Sequence, residues 1–329
     1  MDSIERMRVY RSLDEAGALR GCAVVIGNLD GVHLGHRRLL ETARARAAPH
    51  RVPVVVLTFD PHPARVLRPA MAPPTLTPLP RKLELLARAG VDATVVQPFD
   101  LEYARTPAEV FVRRDLKERL GAADVVVGYD FTAGHERARV EALREMLLAC
   151  GVGLSVLQPV TVDGLTVSST KVREFLLEGN VAGAAVLLGR PHDVDGAVER
   201  GAGRGRGLGF PTANLRPGGL LPALGVYACR ARLGLAAGPD GATESGGAAP
   251  VAAVCNVGVK PTVEESGPVG LEAHLLDLPD RDLYGEQLRV EFLARLRPER
   301  RFPSLEALRE QIARDVEATR EHLRHEVPM

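Results

Sequence analysis

The sequence predicts two domains: an α/β domain with a Rossmann-like parallel sheet, then a small antiparallel β-barrel with a C-terminal helix. The chain has 329 residues, more than the roughly 100 to 200 residues typical of one domain. Short β-branched runs alternate with amphipathic stretches from residue 22 to about 160, and glycine-rich segments follow Gly189. We therefore place a domain boundary after residue 186, which gives domains 1–186 and 187–329.

Strands and helices of the first domain follow from this alternation. Five short runs predict strands, at 22–27, 52–59, 93–97, 124–128 and 153–158. Helices between them require crossovers, which favour a parallel sheet with ligands at the carboxyl ends of its strands. The clearest helix starts at Thr106, which can cap it, with Glu109 completing a capping box, and ends near Gly121. Residues 169–188 predict a further helical stretch.

Period-two alternation predicts the barrel of the second domain. Residues 287–296 should form a strand with an apolar side and a charged side. The charged side carries Arg289, Glu291 and Arg295, and the apolar side carries Leu288, Val290, Phe292, Ala294 and Leu296. Residues 234–250 lack periodicity and predict a flexible, disordered hairpin loop. A C-terminal helix should begin near Ser304 and dock through an apolar stripe formed by Leu305, Leu308, Ile312, Val316, Thr319 and Leu323.

Composition excludes several classes of function. Basic and acidic residues number 42 each, so no overall positive field attracts nucleic acid. The N-terminal segment is charged, and no apolar run approaches the roughly 18 residues of a membrane span, so we expect a cytoplasmic protein without a membrane partner. Four scattered cysteines without a C-x-x-C pair indicate neither a zinc site nor a redox dithiol.

Two histidines flank a glycine where the first strand passes into the first helix, at His33-Leu34-Gly35-His36. Backbone N–H groups and the helix dipole favour a phosphate there, Gly35 lets the phosphate approach, and the imidazoles can donate to developing charge. This arrangement suits nucleotidyl transfer. Capping or surface histidines, or a metal-ligand pair lacking a third ligand, are the alternatives.

Two further segments favour phosphate chemistry in the first domain. Several side chains at a strand-to-helix junction carry hydroxyl or cationic groups that can bind a phosphate. They are Ser168, Ser169, Thr170 and Arg173. The alternative is an N-cap with solvated charges. Residues 58–63, Thr-Phe-Asp-Pro-His-Pro, follow the second strand, where the fold directs residues toward the ligand crevice. An ordinary proline-rich turn is the alternative there.

These three segments, in this order, resemble the adenylyltransferase half of the bifunctional riboflavin kinase/FAD synthetase family of prokaryotes. The resemblance implies that His33 and His36 stabilise the transition state at the α-phosphate of ATP, with magnesium assisting. It implies that the Ser168–Arg173 segment, with Arg173 in a catalytic role, holds the triphosphate. It also implies that further residues line the nucleotide and flavin sites, namely Gly27, Asn28, Gly35, Asp60 and Asp130.

Three positions depart from the family pattern. Leu29 replaces a phenylalanine, Ala133 replaces a second aromatic residue, and the usual glycine is missing in 135–139, near Arg139. Aromatic stacking contributes about 1 kcal/mol per pair, so the loss of two rings predicts weaker or redirected flavin binding at an intact ATP site. An active kinase joined to an adenylyltransferase that is silent, or that uses another phosphorylated acceptor, is therefore the main alternative.

A glycine-rich segment, 201–214, ends in Pro-Thr-Ala-Asn in the second domain. It contains no G-x-G-x-x-G, and the chain has no Gly-Lys dipeptide, which excludes the dinucleotide fingerprint and the Walker A loop. Its N–H groups can still surround phosphates, and we expect this of Gly203, Gly205, Gly209 and Phe210. Thr212 and Asn214 offer oxygen ligands suited to Mg²⁺. A flexible glycine linker is the alternative.

The glycine-rich segment with P-T-A-N resembles the riboflavin kinase half of the same family, so the resemblance covers both domains. It implies that Thr212 and Asn214 hold the magnesium of Mg-ATP, and that Glu272 is the base for the ribityl 5′-hydroxyl. A solvated strand carboxylate is the alternative for Glu272. Segments 256–262 and 282–285 also match the family.

The sequence thus predicts an enzyme that forms FMN from riboflavin in its second domain and FAD from FMN in its first, with ATP as donor in both. A flavin-storage module without turnover is a further alternative, which the intact His33, His36, Thr212, Asn214 and Glu272 disfavour. An RNA-binding protein is disfavoured by the zero net charge and sparse aromatic residues. We make no prediction of the oligomeric state.

Overall fold

The computed structural model describes residues 7–17, 19, 21–200, 209–237, 243–245, 249–259, 269–279 and 281–325. Contacts group the chain into two compact units. The first consists mainly of Met1–Pro74 and Lys82–Val167, and the second mainly of Thr75–Arg81, Ser168–Gly238 and Thr243–Met329. Residues 168–186 thus group with the second unit, and the predicted boundary after residue 186 stays a prediction.

The first unit contains the predicted parallel sheet, with strand order β1-β4-β3-β2-β5-β6. Its strands are β1 (Arg8–Tyr10), β2 (Ala23–Ile26), β3 (Val54–Asp60), β4 (Ala93–Pro98), β5 (Asp124–Gly128) and β6 (Gly153–Leu157). The five predicted strands are present, whereas the three-residue β1 is too short to show a pattern. The chain runs from β2 to β4 in one direction and continues through β5 in the other, so the ligand crevice is expected at the carboxyl ends of β2 and β5.

Helices connect these strands and cover the sheet. They are α1 (Leu34–Ala47), α2 (Pro63–Leu67), α4 (Ala108–Val110) and α5 (Val140–Ala149), while α3 (Leu79–Arg88) contributes residues to both units. A short hairpin, β7 (Thr161–Val162) and β8 (Leu165–Thr166), follows β6. Within the described part of the chain, no helix combines the length and apolar character needed to cross a bilayer.

The helix predicted at Thr106 begins differently, so the predicted capping box is wrong. Pro107 occupies the N-cap, and the N–H of Ala108 donates to Glu136 Oε2 at 3.0 Å. A distant carboxylate therefore replaces the local cap. The helix continues as a π-helix, Phe111–Arg119, in which the buried Asp115 accepts hydrogen bonds from its neighbours Tyr103, Arg114 and Arg119.

The second unit contains a closed antiparallel barrel with strand order β10-β15-β14-β11-β16-β9. Its strands are β9 (His192–Glu199), β10 (Ala213–Pro217), β11 (Gly225–Leu233), β14 (Val251–Val259), β15 (Val269–Leu275) and β16 (Gln287–Arg297). Its helices are α6 (Ser169–Leu177), α7 (Val181–Leu188) and the C-terminal α8 (Leu305–His325). The predicted barrel with a terminal helix is confirmed.

Two predicted segments of the second unit differ from the structure. Residues 169–188 form two helices because Gly179 has a positive φ of 80° and Asn180 caps α7 through the N–H of Gly183. Part of the predicted disordered loop forms paired strands, β12 (Leu235–Ala237) and β13 (Thr243–Ser245). Backbone pairing needs no side-chain periodicity, which explains that error; residues 238–242 and 246–248 lie outside the described residues.

Burial on β16 and α8 also departs from simple periodicity. The register of β16 shifts against β11 between Ala228 and Cys229, which disturbs the alternation. Arg289, predicted to face away from the apolar side, is only 1% exposed and forms two hydrogen bonds with Asp195, at 2.6 and 2.8 Å. Leu305 of the predicted stripe is 69% exposed. The rest of the predicted stripe is buried or half-buried, with Thr319 fully buried and Val316 packed against a barrel cluster that includes Val226. Helix α8 also buries Asp315, which accepts three hydrogen bonds from Arg297.

Candidate active sites

The two histidines lie where β2 passes into α1, next to the reversal in strand order. His33 is the N-cap of α1, and its Nδ1 accepts a hydrogen bond from the N–H of His36 at 3.3 Å. The two imidazole rings stack, with centroids 3.6 Å apart and an interplanar angle of 16°. His33 is therefore a capping histidine, as one alternative predicted, and it also pairs with His36 at a helix N-terminus suited to a phosphate.

The loop around these histidines is tightly packed and strained. Leu29 and Val32 have positive φ values of 49° and 41°, a conformation that costs side chains of this kind about 1–3 kcal/mol. A Cβ at Gly35 would meet the His33 ring at 3.1 Å. The absence of a side chain at Gly35 therefore lets the stacked pair sit against the first turn of α1.

A buried lysine, which the sequence analysis missed, lies beneath this loop. The Lys82 Nζ donates to the Asn28 carbonyl at 2.9 Å and to Thr58 Oγ1 at 3.4 Å. Burial lowers the pKa of Lys82, while the charges of Asp30 and Asp60 oppose that shift. The sequence offered little signal for it, because α3 carries Arg81 directly before Lys82 as well as the buried Leu83 and Leu86.

The electrostatic environment keeps His36 neutral. Burial lowers the pKa of His36 well below its usual value, and the charges of His33 and Lys82 lower it further. Its Nδ1 and the Oδ1 of Asn28 are buried without a hydrogen-bond partner among the described residues. These two polar atoms belong to residues predicted to bind the nucleotide, and a buried polar atom ordinarily has a partner.

The other residues predicted for this site in the first unit lie at the carboxyl edge of the sheet. Asp60 ends β3 and is exposed. Asp130 follows β5 and is also exposed, and a Cβ at Gly128 would meet its Oδ1 at 3.1 Å. Gly27 follows β2, with its N–H bonded to the Leu57 carbonyl. The strands that border the reversal in strand order thus carry these residues to one edge.

Strand register assembles the second group of candidate residues on the barrel. Asn214 of β10 lies directly opposite Glu272 of β15 on one side and Glu199 of β9 on the other. Asn256 of β14 lies opposite Glu272. Residues directly opposite each other in antiparallel strands share a face of the sheet. The four side chains therefore form a polar row across neighbouring strands.

Glu272 lies on the outward face of its strand. Its neighbours Leu271 and Ala273 are fully buried in the barrel, whereas Glu272 is half-buried, as the alternation predicted. Next to this row, His274 Nδ1 donates a hydrogen bond to the Pro211 carbonyl at 2.8 Å, and the His274 ring contacts the Phe210 ring edge-on at 5.4 Å. This contact fixes the segment that carries Thr212. Gly209 has a positive φ of 85°, and Gly203 and Gly205 lie outside the described residues.

Comparison with known proteins identifies both halves. Residues 15–171 match the FAD synthetase family model, and residues 188–323 match the riboflavin kinase model. The bifunctional riboflavin kinase/FMN adenylyltransferase of Escherichia coli strain K12 is 38% identical over 304 residues, 92% of each chain. The chain belongs to the bifunctional riboflavin kinase/FMN adenylyltransferase family. The relative from Bacillus subtilis is 33% identical over 298 residues, 89% of each chain.

A solved structure agrees with this assignment at the level of the fold and the chain length. A crystal structure described as a macrolide-efflux protein from Streptococcus pneumoniae superposes with a TM-score of 0.82 at 28% identity, covering 95% of this chain and 98% of the other. The two family models follow each other in the order that the sequence predicted, FAD synthetase first and riboflavin kinase second.

Two of the three departures from the family pattern are buried, and the third lies at a turn. Leu29 and Ala133 are each only 2% exposed and lie within the core, so neither position offers a surface on which a ligand could stack. In 135–139, where the family's usual glycine is missing, Arg139 has an ordinary φ of −76° as the N-cap of α5, whereas Arg137 has a positive φ of 56°, a conformation that favours glycine. The weaker or redirected flavin binding predicted from the missing rings stays a prediction.

An aromatic cluster at the carboxyl edge of the FAD synthetase domain was not predicted. Phe59, Phe99 and Tyr103 have ring centroids 5.6 to 6.2 Å apart, and all three are half-buried. The sequence could have revealed this cluster through the positions of two of its residues, since Phe59 lies at the end of β3 and Phe99 follows β4. The edge expected to bind a ligand thus carries aromatic surface even though positions 29 and 133 do not contribute to it.

The Ser168–Arg173 segment groups with the second unit. Ser168 caps α6 by accepting a hydrogen bond from the N–H of Lys171 at 3.2 Å, which confirms the N-cap. Arg173 is buried, whereas Ser169 is half-buried and Thr170 exposed. The alternative of solvated charges is therefore wrong for Arg173, which lies one turn into α6 and is buried.

Proposed function

We propose that this chain phosphorylates riboflavin to FMN in its riboflavin kinase domain and adenylylates FMN to FAD in its FAD synthetase domain. The observation that carries the proposal is that the chain contains two separate sites, one in each domain. One is a stacked His33–His36 pair at a helix N-terminus, and the other is a polar row containing Glu272 and Asn214. ATP is the donor for both reactions, as the family assignment requires.

In the adenylyltransferase reaction, a phosphate oxygen of FMN attacks the α-phosphorus of ATP, and the bond to pyrophosphate breaks. His33 and His36 donate hydrogen bonds to the charge that develops on the phosphate oxygens. Ser168, Ser169, Thr170 and Arg173 bind the triphosphate, while the nucleotide and flavin lie along a set of residues at the sheet edge, Gly27, Asn28, Gly35, Asp60 and Asp130. The aromatic cluster of Phe59, Phe99 and Tyr103 supplies stacking surface for the flavin ring.

In the kinase reaction, Glu272 accepts the proton of the ribityl 5′-hydroxyl, whose oxygen attacks the γ-phosphorus of ATP as ADP leaves. Positioning and charge neutralisation dominate such a transfer. The backbone N–H groups of the glycine-rich segment, including Gly209 and Phe210, bind the phosphates.

Thr212 and Asn214 would hold a divalent metal, which we propose is Mg²⁺. Mg²⁺ neutralises the charge on the ATP phosphates when bound. A hydroxyl and an amide oxygen near the carboxylates of the polar row suit Mg²⁺, which takes few protein ligands and fills its coordination from substrate phosphates and water. The described residues contain no cluster of three His, Cys, Asp or Glu side chains that could bind a metal without the substrate.

Product chromatography tests the function. The purified chain receives Mg-ATP with riboflavin or with FMN, and FAD should form from both. FMN from riboflavin without FAD from either substrate would instead support the kinase with a silent or redirected adenylyltransferase. Absence of any product would refute the proposal.

Two variants separate the centres. Glu272→Gln should abolish FMN formation while sparing adenylylation of supplied FMN, and His36→Ala should do the reverse. Loss of both activities in either variant would contradict two independent sites. The cytoplasmic location expected from the sequence stays a prediction.

A further inference from the structure

Lys82 lies next to the histidine loop of the FAD synthetase domain, but it takes no part in the reaction steps of that site. The side chain is buried, and its ammonium group is held by two oxygens, the Asn28 carbonyl and the Thr58 hydroxyl. Thr58 Oγ1 also donates to the same Asn28 carbonyl at 3.3 Å. The two side chains thus converge on the residue that precedes the strained Leu29, at the start of the histidine loop.

Burying an ammonium group costs desolvation free energy unless other groups compensate its charge. A buried methionine of similar length would fill the same space without that cost. The hydrogen bonds to Asn28 and Thr58 are to neutral oxygens, so they do not by themselves require a full charge. The charge therefore has its main effect on the charged and titratable groups around it.

Those groups come from each element that faces Lys82. Asp30 belongs to the loop after β2, Asp60 ends β3, and both interact favourably with the Lys82 charge. His36 of α1 interacts unfavourably with it, and His36 also faces His33. The lysine thus stands between two carboxylates at the nucleotide edge and an imidazole that must donate to phosphate.

We propose that Lys82 is a positioning residue for adenylyl transfer, fixing the main chain at Asn28 and maintaining a positive charge beside His36. The fixed main chain holds the strained loop in the geometry that stacks His33 on His36. Burial is the main reason that the pKa of His36 is lowered, and the Lys82 charge adds to it. The neutral His36 ring is not repelled by Lys82 and can stay stacked on His33 until the substrate binds. Both effects act through other residues, and Lys82 itself need not touch the substrate.

Two substitutions separate the two effects. Lys82→Gln retains a hydrogen-bond donor but removes the charge, whereas Lys82→Met removes both at similar length. Lys117→Met is the matched control, because Lys117 is exposed on the π-helix. The full chain is assayed for FAD formation from FMN across pH, with kcat and KM separated, and for riboflavin kinase activity in the same preparation.

Both Lys82 variants should move the acidic limb of the adenylyl-transfer profile to higher pH by about one unit, since removal of a nearby positive charge raises the pKa of an imidazole. Lys82→Met should also lower kcat by about ten- to a hundredfold, with a smaller loss for Lys82→Gln. Kinase activity should be unchanged in both, and Lys117→Met should match the wild-type chain throughout.

An acidic limb that stays in place in both variants would overturn the inference, even if the rate falls. A parallel fall in kinase activity in both variants would also overturn it, because Lys82 would then serve folding in general. The inference rests on the proposed adenylyltransferase function, and the unmodified chain separates the two. If wild-type chain forms no FAD, the proposed function fails; if it forms FAD and the variants match it, only the role of Lys82 fails.

Discussion

Replacing Gly35 by alanine is expected to slow adenylyl transfer without weakening the fold. The added methyl would meet Cε1 and Nδ1 of the His33 ring, both at 3.1 Å, whereas favourable contact begins near about 3.5 Å. The ring must therefore move by a few tenths of an ångström. That movement stretches the hydrogen bond from the His36 N–H to His33 Nδ1, which is already 3.3 Å long, and it disturbs the stacked pair.

The expected loss follows from these contacts. An N-cap hydrogen bond contributes about 1 kcal/mol, and a catalytic group displaced by about 1 Å can cost a hundredfold in rate. We expect kcat/KM for FAD formation to fall by about five- to twentyfold. Alanine is favoured over glycine inside a helix by about 1 kcal/mol, so the thermal midpoint should hold or rise.

The assay measures FAD formation, FMN formation and thermal unfolding on Gly35→Ala. Gly17→Ala is the matched control, because a Cβ there has no heavy atom within 4 Å, and it should match the wild-type chain. Wild-type adenylyl transfer by Gly35→Ala would refute the reasoning, as would a loss of kinase activity in the same variant.

Two further predictions concern stability and reactivity. Asp193→Asn should lower the free energy of unfolding by about 3–5 kcal/mol in chemical denaturation, because Arg81 Nε and Nη2 bind this buried carboxylate at 2.8 and 2.7 Å. Although burial raises the pKa of Asp193, the charges of Arg81 and its neighbours lower that pKa below the usual value. The stabilisation should therefore be present above pH ~4 and lost below that pH. A denaturation midpoint that is unchanged in Asp193→Asn would contradict this prediction. Burial raises the pKa of the Cys22 thiol to about 12, so iodoacetamide at pH 8 should alkylate the half-buried Cys150 and spare Cys22 in the folded chain, as peptide mapping would reveal.

Local patterns in the sequence determined the strands and the order of the two folds. The run at 124–128 matches Asp124–Gly128 without an error at either end, because β-branched side chains bounded by turn residues need little tertiary information to form a strand. The same holds for the start of α8 after Ser304, whose Oγ accepts from the N–H of Ala307. The histidine pair and the P-T-A-N segment were identified from short contiguous motifs.

Only the tertiary structure decided how distant residues meet. The pairing of Asn214 with Glu272 depends on a register between strands that the sequence separates by a long and partly glycine-rich stretch. The burial of Leu29 and Ala133 also depends on the folded chain, and it leaves no exposed side-chain surface at either position.

Lys82 shows why the sequence alone could not reveal which distant residues meet. From the sequence, it is one of several charged residues on an amphipathic helix, and its role depends on Asn28 and Thr58, which come from two other elements. Periodicity describes which face of one element is apolar, and motifs describe chemistry within a few residues. The energy of a buried charge depends instead on all groups that surround it in space, and those groups are brought together only by the folded chain.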